Sequence, residues 1–154
     1  MEINITNIPD DGKIFEGEDS ASILGLDNDK NLRLESPIRY NLKVHLVSDE
    51  LMVRGTLAVD VSFKCSKCCE FFNFAVSDYP LECFRDISDQ NSESVDLTPD
   101  IREAIILAFP NYPVCSLDCI GLCSQCGIDL NKDKCDCRPP QDSRWSVLED
   151  LSST

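Results

Sequence analysis

The sequence is short of the residues and motifs on which most enzymes depend. It contains a single histidine, His45, which an alternating pattern places on the outer face of a predicted strand. No nucleophile–base–acid triad can be assembled around this side chain, and the glycine-rich fingerprints of phosphate-loop and dinucleotide binding are missing. We therefore expect a non-enzymatic protein without a small-molecule substrate.

Long hydrophobic segments are also missing. The longest apolar run lies around Ile105–Phe109, whereas about 20 apolar residues are needed to cross a bilayer. The opening residues lack the basic start and apolar stretch of a secretory signal and the arginine-rich character of a transit peptide. These features predict a cytoplasmic protein with no membrane partner. In that reducing environment, clustered cysteines bind metal more often than they form disulfides.

Positive charge is scarce, with 14 basic side chains against 28 acidic ones and a formal net charge of −14. Proteins hold phosphate backbones by neutralising them with lysine and arginine. The balance therefore opposes broad nonspecific binding to nucleic acid, although it permits a small basic patch. The acidity also favours solubility.

Cysteine, in contrast, is abundant. Eight of the ten cysteines are clustered: Cys65, Cys68, Cys115, Cys119, Cys123, Cys126, Cys135 and Cys137. Four thiolates fill a closed tetrahedral zinc site, whereas a catalytic zinc keeps one position open. Eight clustered thiols therefore predict two zinc ions with a structural role.

The spacing favours one division of these eight cysteines. The last four enclose a loop of eight residues, and Gly127 directly after Cys126 suits the positive φ of a zinc knuckle. The first four would then form a second site that pins the chain after a predicted helix to a strand turn. A division that places Cys115, Cys119, Cys123 and Cys126 together stays open, as does an iron–sulfur cluster. A thioredoxin-like redox role is disfavoured because neither Cys-x-x-Cys pair lies in a βαβ setting.

Two further groups of residues surround the predicted metal sites. Cys69 and Cys83 have no partner in either set and are expected to be small core residues. Basic residues flank the sulfurs at Lys64, Lys67, Lys132, Lys134 and Arg138. These five could compensate the charge of a four-thiolate zinc site, or they could contact RNA phosphates or a partner.

Alternating hydrophobicity predicts the sheet. Apolar residues recur at every second position over 40–46 and again over 51–63, separated by a polar turn, which is typical of an antiparallel hairpin. Gly55 interrupts the second run and suggests a bulge. A third strand follows around 72–76, so Cys65 and Cys68 lie in the turn between two strands. Residues 1–8 could form an edge strand.

The remaining segments predict one main helix and several loops. Thr98-Pro99-Asp100 is typical of a helix start with a capping hydroxyl, and Pro110 ends the pattern, which gives a helix over about 98–109. Residues 9–31 are expected to form a loop with one short helix, and 86–97 a mobile loop. Trp145, Leu148 and Leu151 suggest a short amphipathic tail. The predicted fold is α+β, with residues 1–114 forming the sheet and helix and 115–154 a cysteine-rich zinc-binding lobe packed on the same domain.

From about residue 35 to the end, the chain resembles the YceD family, a bacterial and organellar group. The residues that carry the resemblance are Arg102–Pro110, Pro113–Asn131 with its four cysteines, the earlier Cys65-x-x-Cys68, Cys135-Asp136-Cys137 and Asp142-x-Arg144-Trp145. The resemblance implies a factor for accumulation or processing of large-subunit ribosomal RNA, and hence for assembly of that subunit. Its partners would be the ribosomal RNA precursor, ribosomal proteins or both.

The resemblance implies no catalytic residue, and some family members lack the final cysteines. Cys69 and Ser143 depart from the family pattern, but neither position is a proposed ligand. Two alternatives stay open. A nuclease would need acidic magnesium ligands, for which Asp96, Asp100 and Glu103 are the candidates, although acids at a helix start also complement the helix dipole. A pure protein-interaction module is the other alternative.

Overall fold

The computed structural model of the chain describes residues 1–87 and 93–138. The described elements are β1 (Glu2–Asn4), β2 (Lys13–Asp19), a 3-10 helix (Ala21–Leu24), β3 (Leu32–Leu34), β4 (Ile38–Val47), β5 (Glu50–Lys64), β6 (Phe71–Asp86), β7 (Ser94–Asp96) and α1 (Thr98–Ala108). All the strand pairs among the described residues are antiparallel, and together with α1 they confirm the α+β prediction. Neither of the described helices is long and apolar enough to cross a membrane.

The long strand β5 organises the main sheet. On one edge of β5, β4 pairs with the first half of the strand and β3 pairs with residues 61–63. β6 pairs along the other edge of β5, and β2 extends the sheet beyond β4. β1 and β7 form a separate two-stranded ribbon. The chain between β5 and β6 reverses direction in a tight turn, and this turn contains Cys65 and Cys68, as predicted.

The alternation seen in the sequence determines which face of the sheet is buried. Leu42 and Val44 in β4 and Val53, Val59 and Val61 in β5 are fully buried, whereas the residues between them are largely more exposed. The helix α1 packs on β6 and buries Ile101 and Ile105 in the same core. Period two in the strands and the helical spacing of these two isoleucines therefore bring one apolar face of each element together.

The irregularity in the sheet does not lie at Gly55. Gly55 pairs regularly with Leu42, and the register shift falls between Leu57 and Val59. A glycine is needed at position 55 for a different reason: a Cβ there would lie 2.0 Å from the backbone oxygen of Asn41. The predicted bulge is thus displaced, and Gly55 instead permits close approach of β4 to β5.

The prediction of loop over 9–31 is wrong for β2. This strand is rich in acidic residues and contains Gly17, a composition with low strand propensity, and backbone pairing with β4 sets its position. The expected short helix is the 3-10 helix. The prediction of a loop over 86–97 is wrong at both ends of that range. β6 extends to Asp86, and β7 pairs with the edge strand β1, with Val95 and Leu97 buried. Residues 88–92, like the predicted tail at Trp145, Leu148 and Leu151, lie outside the described residues.

The helix begins and ends close to the predicted positions, but its capping differs. Leu97 is the N-cap residue and makes no side-chain capping bond, so Thr98 is not the cap. Instead, the Asp96 carboxylate accepts the backbone N–H of Thr98 at 2.9 Å, and the Thr98 hydroxyl accepts from the amino group of Met1. At the other end, Phe109 is extended because a residue before proline disfavours the helical conformation.

Candidate metal centre

The turn between β5 and β6 forms a knuckle around Cys65. The N–H of Cys65 donates to the carbonyl oxygen of Glu70 at 2.8 Å, and the N–H of Cys69 donates to the carbonyl oxygen of Cys65 at 3.0 Å. The N–H of Lys67 points at the Cys65 sulfur, 3.4 Å away. These bonds curl the backbone so that the sulfurs of Cys65 and Cys68 face the same point.

The same hydrogen bonds recur 58 positions later, around Cys123. Its N–H donates to the carbonyl oxygen of Ile128 at 2.8 Å, its carbonyl accepts from Gly127 at 2.9 Å, and its sulfur accepts from Gln125 at 3.4 Å. Gly127 has φ 75°, as the sequence predicted for a knuckle. The two turns are therefore two copies of one local structure.

Cys69 occupies the position in the first knuckle that Gly127 occupies in the second. It adopts φ 63°, a left-handed conformation that costs a non-glycine residue free energy, and it is exposed. The prediction that Cys69 is a core residue is therefore wrong. Cys83 is half-buried and packs against the core, and burial raises the pKa of its thiol to about 11.

The first cluster joins the β5–β6 turn to the segment after α1. The sulfurs of Cys65, Cys68, Cys115 and Cys119 all lie within 4.8 Å of one another. Two of the separations are 3.9 Å (Cys65 to Cys119) and 3.8 Å (Cys68 to Cys115). These distances exceed a disulfide bond of about 2.05 Å. They match the roughly 3.8 Å between sulfurs in a tetrahedron with Zn–S bonds of about 2.3 Å.

The second cluster is local and more exposed. The sulfurs of Cys123, Cys126, Cys135 and Cys137 also lie within 4.8 Å of one another, and their side chains are half-buried or exposed. In the first cluster, by contrast, Cys115 alone is exposed. The structure thus brings the eight sulfurs together in the division that the spacing favoured. Each cluster could hold a metal ion.

The electrostatics of both clusters fit a cation. Burial is the largest influence on Cys65 and raises its pKa, but N–H groups of Cys68, Cys115 and Lys67 outweigh it and lower the pKa to about 6. N–H groups of Cys126 and Gln125 lower the pKa of Cys123 to about 6 as well. One thiolate thus forms readily in each cluster.

Further ionisation in the clusters is opposed. The thiol of Cys137 donates a hydrogen bond to the sulfur of Cys126, which favours the protonated form of Cys137 and raises its pKa to about 12. Four sulfurs so close together can all ionise only when a positive ion balances their charge. The donor sets therefore fit a thiophilic cation such as Zn²⁺.

Asn131 connects the two clusters, a role that the sequence did not predict. Its side-chain amide donates to the Cys119 sulfur at 3.5 Å and to Asp129 at 2.7 Å, and its oxygen accepts the N–H of Ile120 at 2.8 Å. The loop enclosed by the second cluster therefore supplies a hydrogen bond to a sulfur of the first. Such outer contacts orient ligands and tune metal affinity.

The five predicted basic residues differ in their contacts. The amine of Lys67 donates to the carbonyl oxygen of Cys119 at 3.0 Å, and Lys132 forms an ion pair with Glu70 at 2.6 Å. Lys64 is the last residue of β5, and Lys134 and Arg138 are exposed. Lys67 and Lys132 thus link the β5–β6 turn to the segment that follows α1.

The acidic residues near the helix start are largely engaged in structure. Arg85 makes a bidentate contact with Asp100, with the shortest separation at 2.7 Å, and Asp96 accepts from Thr98. Hydrogen bonds from Thr98 lower the pKa of Asp96. Within residues 1–87 and 93–138, the groups of three or more closely spaced metal-binding side chains are the two cysteine sets.

An antiparallel sheet with one helix and two four-cysteine clusters thus defines the structural class of this protein. The chain belongs to the YceD family. The model of that family, described as large ribosomal RNA subunit accumulation protein YceD, matches residues 76–152, which is half of the chain. The resemblance noted in the sequence is thereby confirmed.

Individual relatives extend this comparison. An uncharacterized protein of Mycobacterium tuberculosis is 29% identical over 124 residues, which cover 72% of this chain and 60% of the relative. A Mycobacterium leprae protein is 26% identical over 129 residues, covering 75% of this chain and 59% of the relative. The chain thus spans about 60% of the length of these mycobacterial relatives.

An Arabidopsis thaliana protein carries a functional name. The large ribosomal RNA subunit accumulation protein YCED homolog 1, chloroplastic, is 35% identical over 60 residues, covering 38% of this chain and 19% of the relative. No solved structure matches the chain. The description of the family and the name of this relative both refer to accumulation of the large ribosomal RNA subunit.

Proposed function

We propose that this protein is a non-enzymatic factor for accumulation of large-subunit ribosomal RNA and assembly of the large ribosomal subunit, held in shape by two structural zinc ions. The observation that carries the structural part is the pair of four-sulfur clusters, in each of which the sulfurs lie within 4.8 Å of one another. Four protein ligands leave no position for a substrate or an activated water. The family supplies the connection to ribosomal RNA.

Zinc would supply a cross-link and charge neutralisation at each site. In the first cluster, Cys65 and Cys68 would be joined to Cys115 and Cys119 across about 50 residues of chain, so the body formed by residues 1–114 would be tied to the lobe that begins at 115. In the second cluster, zinc would close the loop between Cys126 and Cys135. This function needs no catalytic group. A rigid lobe that presents a binding surface to the assembling ribosomal subunit is sufficient for it.

The basic residues beside the clusters are the proposed contact surface for RNA or a ribosomal protein. Lys64, Lys134 and Arg138 would make direct contacts, while Lys67 and Lys132 would support the lobe through their bonds to Cys119 and Glu70. A local surface of this kind is compatible with the acidic body, because it needs only a few phosphate contacts. We place the protein in the cytoplasm with its thiols reduced.

Cells depleted of this protein provide the test. We expect less mature large-subunit ribosomal RNA relative to the small-subunit RNA, restored by the wild-type chain and poorly restored by Cys65→Ser. Sedimentation of the tagged wild-type chain with large-subunit precursors should accompany the rescue. Unchanged RNA levels after depletion, together with no sedimentation with precursors, would contradict the proposal.

The nuclease alternative has a separate test. Purified zinc-loaded protein incubated with precursor RNA and magnesium should leave the RNA intact. Cleavage by the wild type that Asp100→Ala abolishes would identify an enzyme and overturn the non-enzymatic assignment. The carboxylate of Asp100 already contacts Arg85, which favours a structural role for Asp100.

A further inference from the structure

Three side chains meet on the outer face of the sheet beside the first cluster. Arg33 in β3 lies opposite Ser62 in β5, and Lys64, at the end of β5, lies opposite Phe71, the first residue of β6. Alternate residues of a strand share a face. Because Phe63 points into the core, Arg33, Lys64 and Phe71 all belong to the opposite, outer face.

Arg33 lies over the ring of Phe71. Its guanidinium carbon lies 3.9 Å from the ring centroid, so the arginine crosses β5 to reach the edge strand. Ser62, between the two strands, is only 5% exposed although it lies on the outer face. The contact with Phe71 therefore fixes the position of the Arg33 guanidinium, and only one face of this planar cation contacts the phenylalanine.

The charges of Arg33 and Lys64 are not compensated within the part of the chain that the structure describes. Two other arginines of this face form ion pairs, Arg39 with Asp60 at 3.4 Å and Arg54 with Glu82 at 2.6 Å. No carboxylate pairs with Arg33 or Lys64 among the described residues. Their positive charges are therefore available to an external anion.

A cavity adjoins this pair on the side of the first cluster. Its volume is about 390 Å³, and it is lined by Asn31, Lys64, Cys65, Ser66, Cys69 and Pro113. The volume falls in the range of small-ligand sites. Asn31 and Ser66 add neutral hydrogen-bonding groups to the ammonium of Lys64, so the cavity suits a polar group attached to an anionic backbone.

We propose that this surface, formed by Arg33, Phe71, Lys64 and the adjoining cavity, binds single-stranded RNA. Phosphates would contact Arg33 and Lys64, and an unstacked base would lie on the free face of the Arg33 guanidinium or enter the cavity. Splayed bases stack on arginine planes as well as on aromatic rings. A duplex is disfavoured because the acidic body offers few further phosphate contacts. The inference rests on the proposed function and specifies which nucleic acid is bound and where.

Binding of a fluorescently labelled 12-nucleotide single-stranded RNA to the zinc-loaded chain, followed by anisotropy, tests the proposal. Arg33→Ala removes both a plane on which a base can stack and a phosphate contact, so it should weaken binding by about tenfold, which corresponds to about 1.4 kcal/mol. Arg33→Lys should recover only part of the loss, because it keeps the charge and loses the plane. Lys64→Ala should weaken binding and reduce its salt dependence.

Lys13→Ala provides the matched control. Lys13 also lies over a phenylalanine, with its amine 5.1 Å from the ring of Phe15, but it belongs to β2 at the opposite edge of the sheet. This variant removes the same charge and should bind RNA like the wild type. Thermal unfolding and zinc content establish that each variant is folded.

The outcomes separate this inference from the proposed function. If the wild type binds RNA and neither Arg33→Ala nor Lys64→Ala changes the affinity, the proposed site is wrong. The site is also wrong if Lys13→Ala weakens binding as much as they do. In both cases the RNA levels in depleted cells can still support the proposed function. No binding by the wild type, or equal binding of a duplex probe, also overturns the proposed site. Capture of a large-subunit ribosomal protein that resists RNase and is lost in Arg33→Ala would assign the surface to protein instead.

Discussion

The two clusters should contribute very unequally to the stability of the sheet. Cys65→Ser removes a ligand from the cluster that joins the β5–β6 turn to the chain after α1. Cys135→Ser removes one from a cluster confined to residues 123–137. Both substitutions replace a single sulfur by oxygen, so they serve as matched variants. The first should lower the unfolding temperature of the sheet strongly, whereas the second should affect mainly the lobe.

The number of residues between the cross-linked cysteines sets the expected loss of stability. The first cluster connects residues 54 and 47 positions apart, and cross-linking a loop of about 50 residues removes about 4 kcal/mol of unfolded-state entropy. At about 3 °C per kcal/mol for a chain of this size, the midpoint falls by about 12 °C. The second cluster closes eight residues, Gly127 to Lys134, outside the sheet, so its loss should shift the sheet midpoint by about 0–3 °C.

Thermal unfolding followed by far-ultraviolet circular dichroism measures the sheet, and elemental analysis of the same samples gives the zinc content. Each variant should retain about one zinc per chain. Equal midpoints for Cys65→Ser and Cys135→Ser, or a larger loss for Cys135→Ser, would refute the reasoning that the first cluster is the main link between the β5–β6 turn and the segment after α1.

Three further substitutions test individual contacts. Asn131→Ala removes the hydrogen bond to the Cys119 sulfur, so zinc affinity of the first cluster should fall by about 10–100-fold in a competition with a chromogenic chelator; unchanged affinity would show that this bond does not tune the site. Cys69→Gly relieves a left-handed backbone and should stabilise the chain by about 0.5–1 kcal/mol in urea unfolding, with zinc content unchanged; loss of a zinc would make Cys69 a ligand. Asp100→Ala leaves Arg85 without its partner and should destabilise the chain by about 1–3 kcal/mol, whereas an unchanged unfolding midpoint would show that the ion pair contributes nothing.

The local sequence pattern was sufficient to predict those elements of the fold whose position is determined by their own side chains. Strands β4 and β5 alternate between core and solvent, and α1 begins near a proline and ends before another. The cysteine division followed from chain length, because the eight residues from Gly127 to Lys134 form a compact loop. These elements have both the local propensity and the buried face that specify them.

Other elements could not be predicted because backbone pairing or tertiary contact determines them. β2 carries acids and Gly17, and it is a strand because β4 offers it a free edge. The left-handed conformation of Cys69 is imposed by the knuckle and is not suggested by its residue type. The stack of Arg33 on Phe71 and the bond from Asn131 to Cys119 depend on strand register and on folding of the lobe, neither of which leaves a local signal.

The zinc content of the intact chain, purified under reducing conditions, tests the central claim most directly. Two clusters of four thiolates predict about two zinc ions per chain by elemental analysis, with eight of the ten thiols protected from alkylation until a chelator or acid releases the metal. A content of one zinc or none, with the eight thiols freely alkylated, would contradict the account.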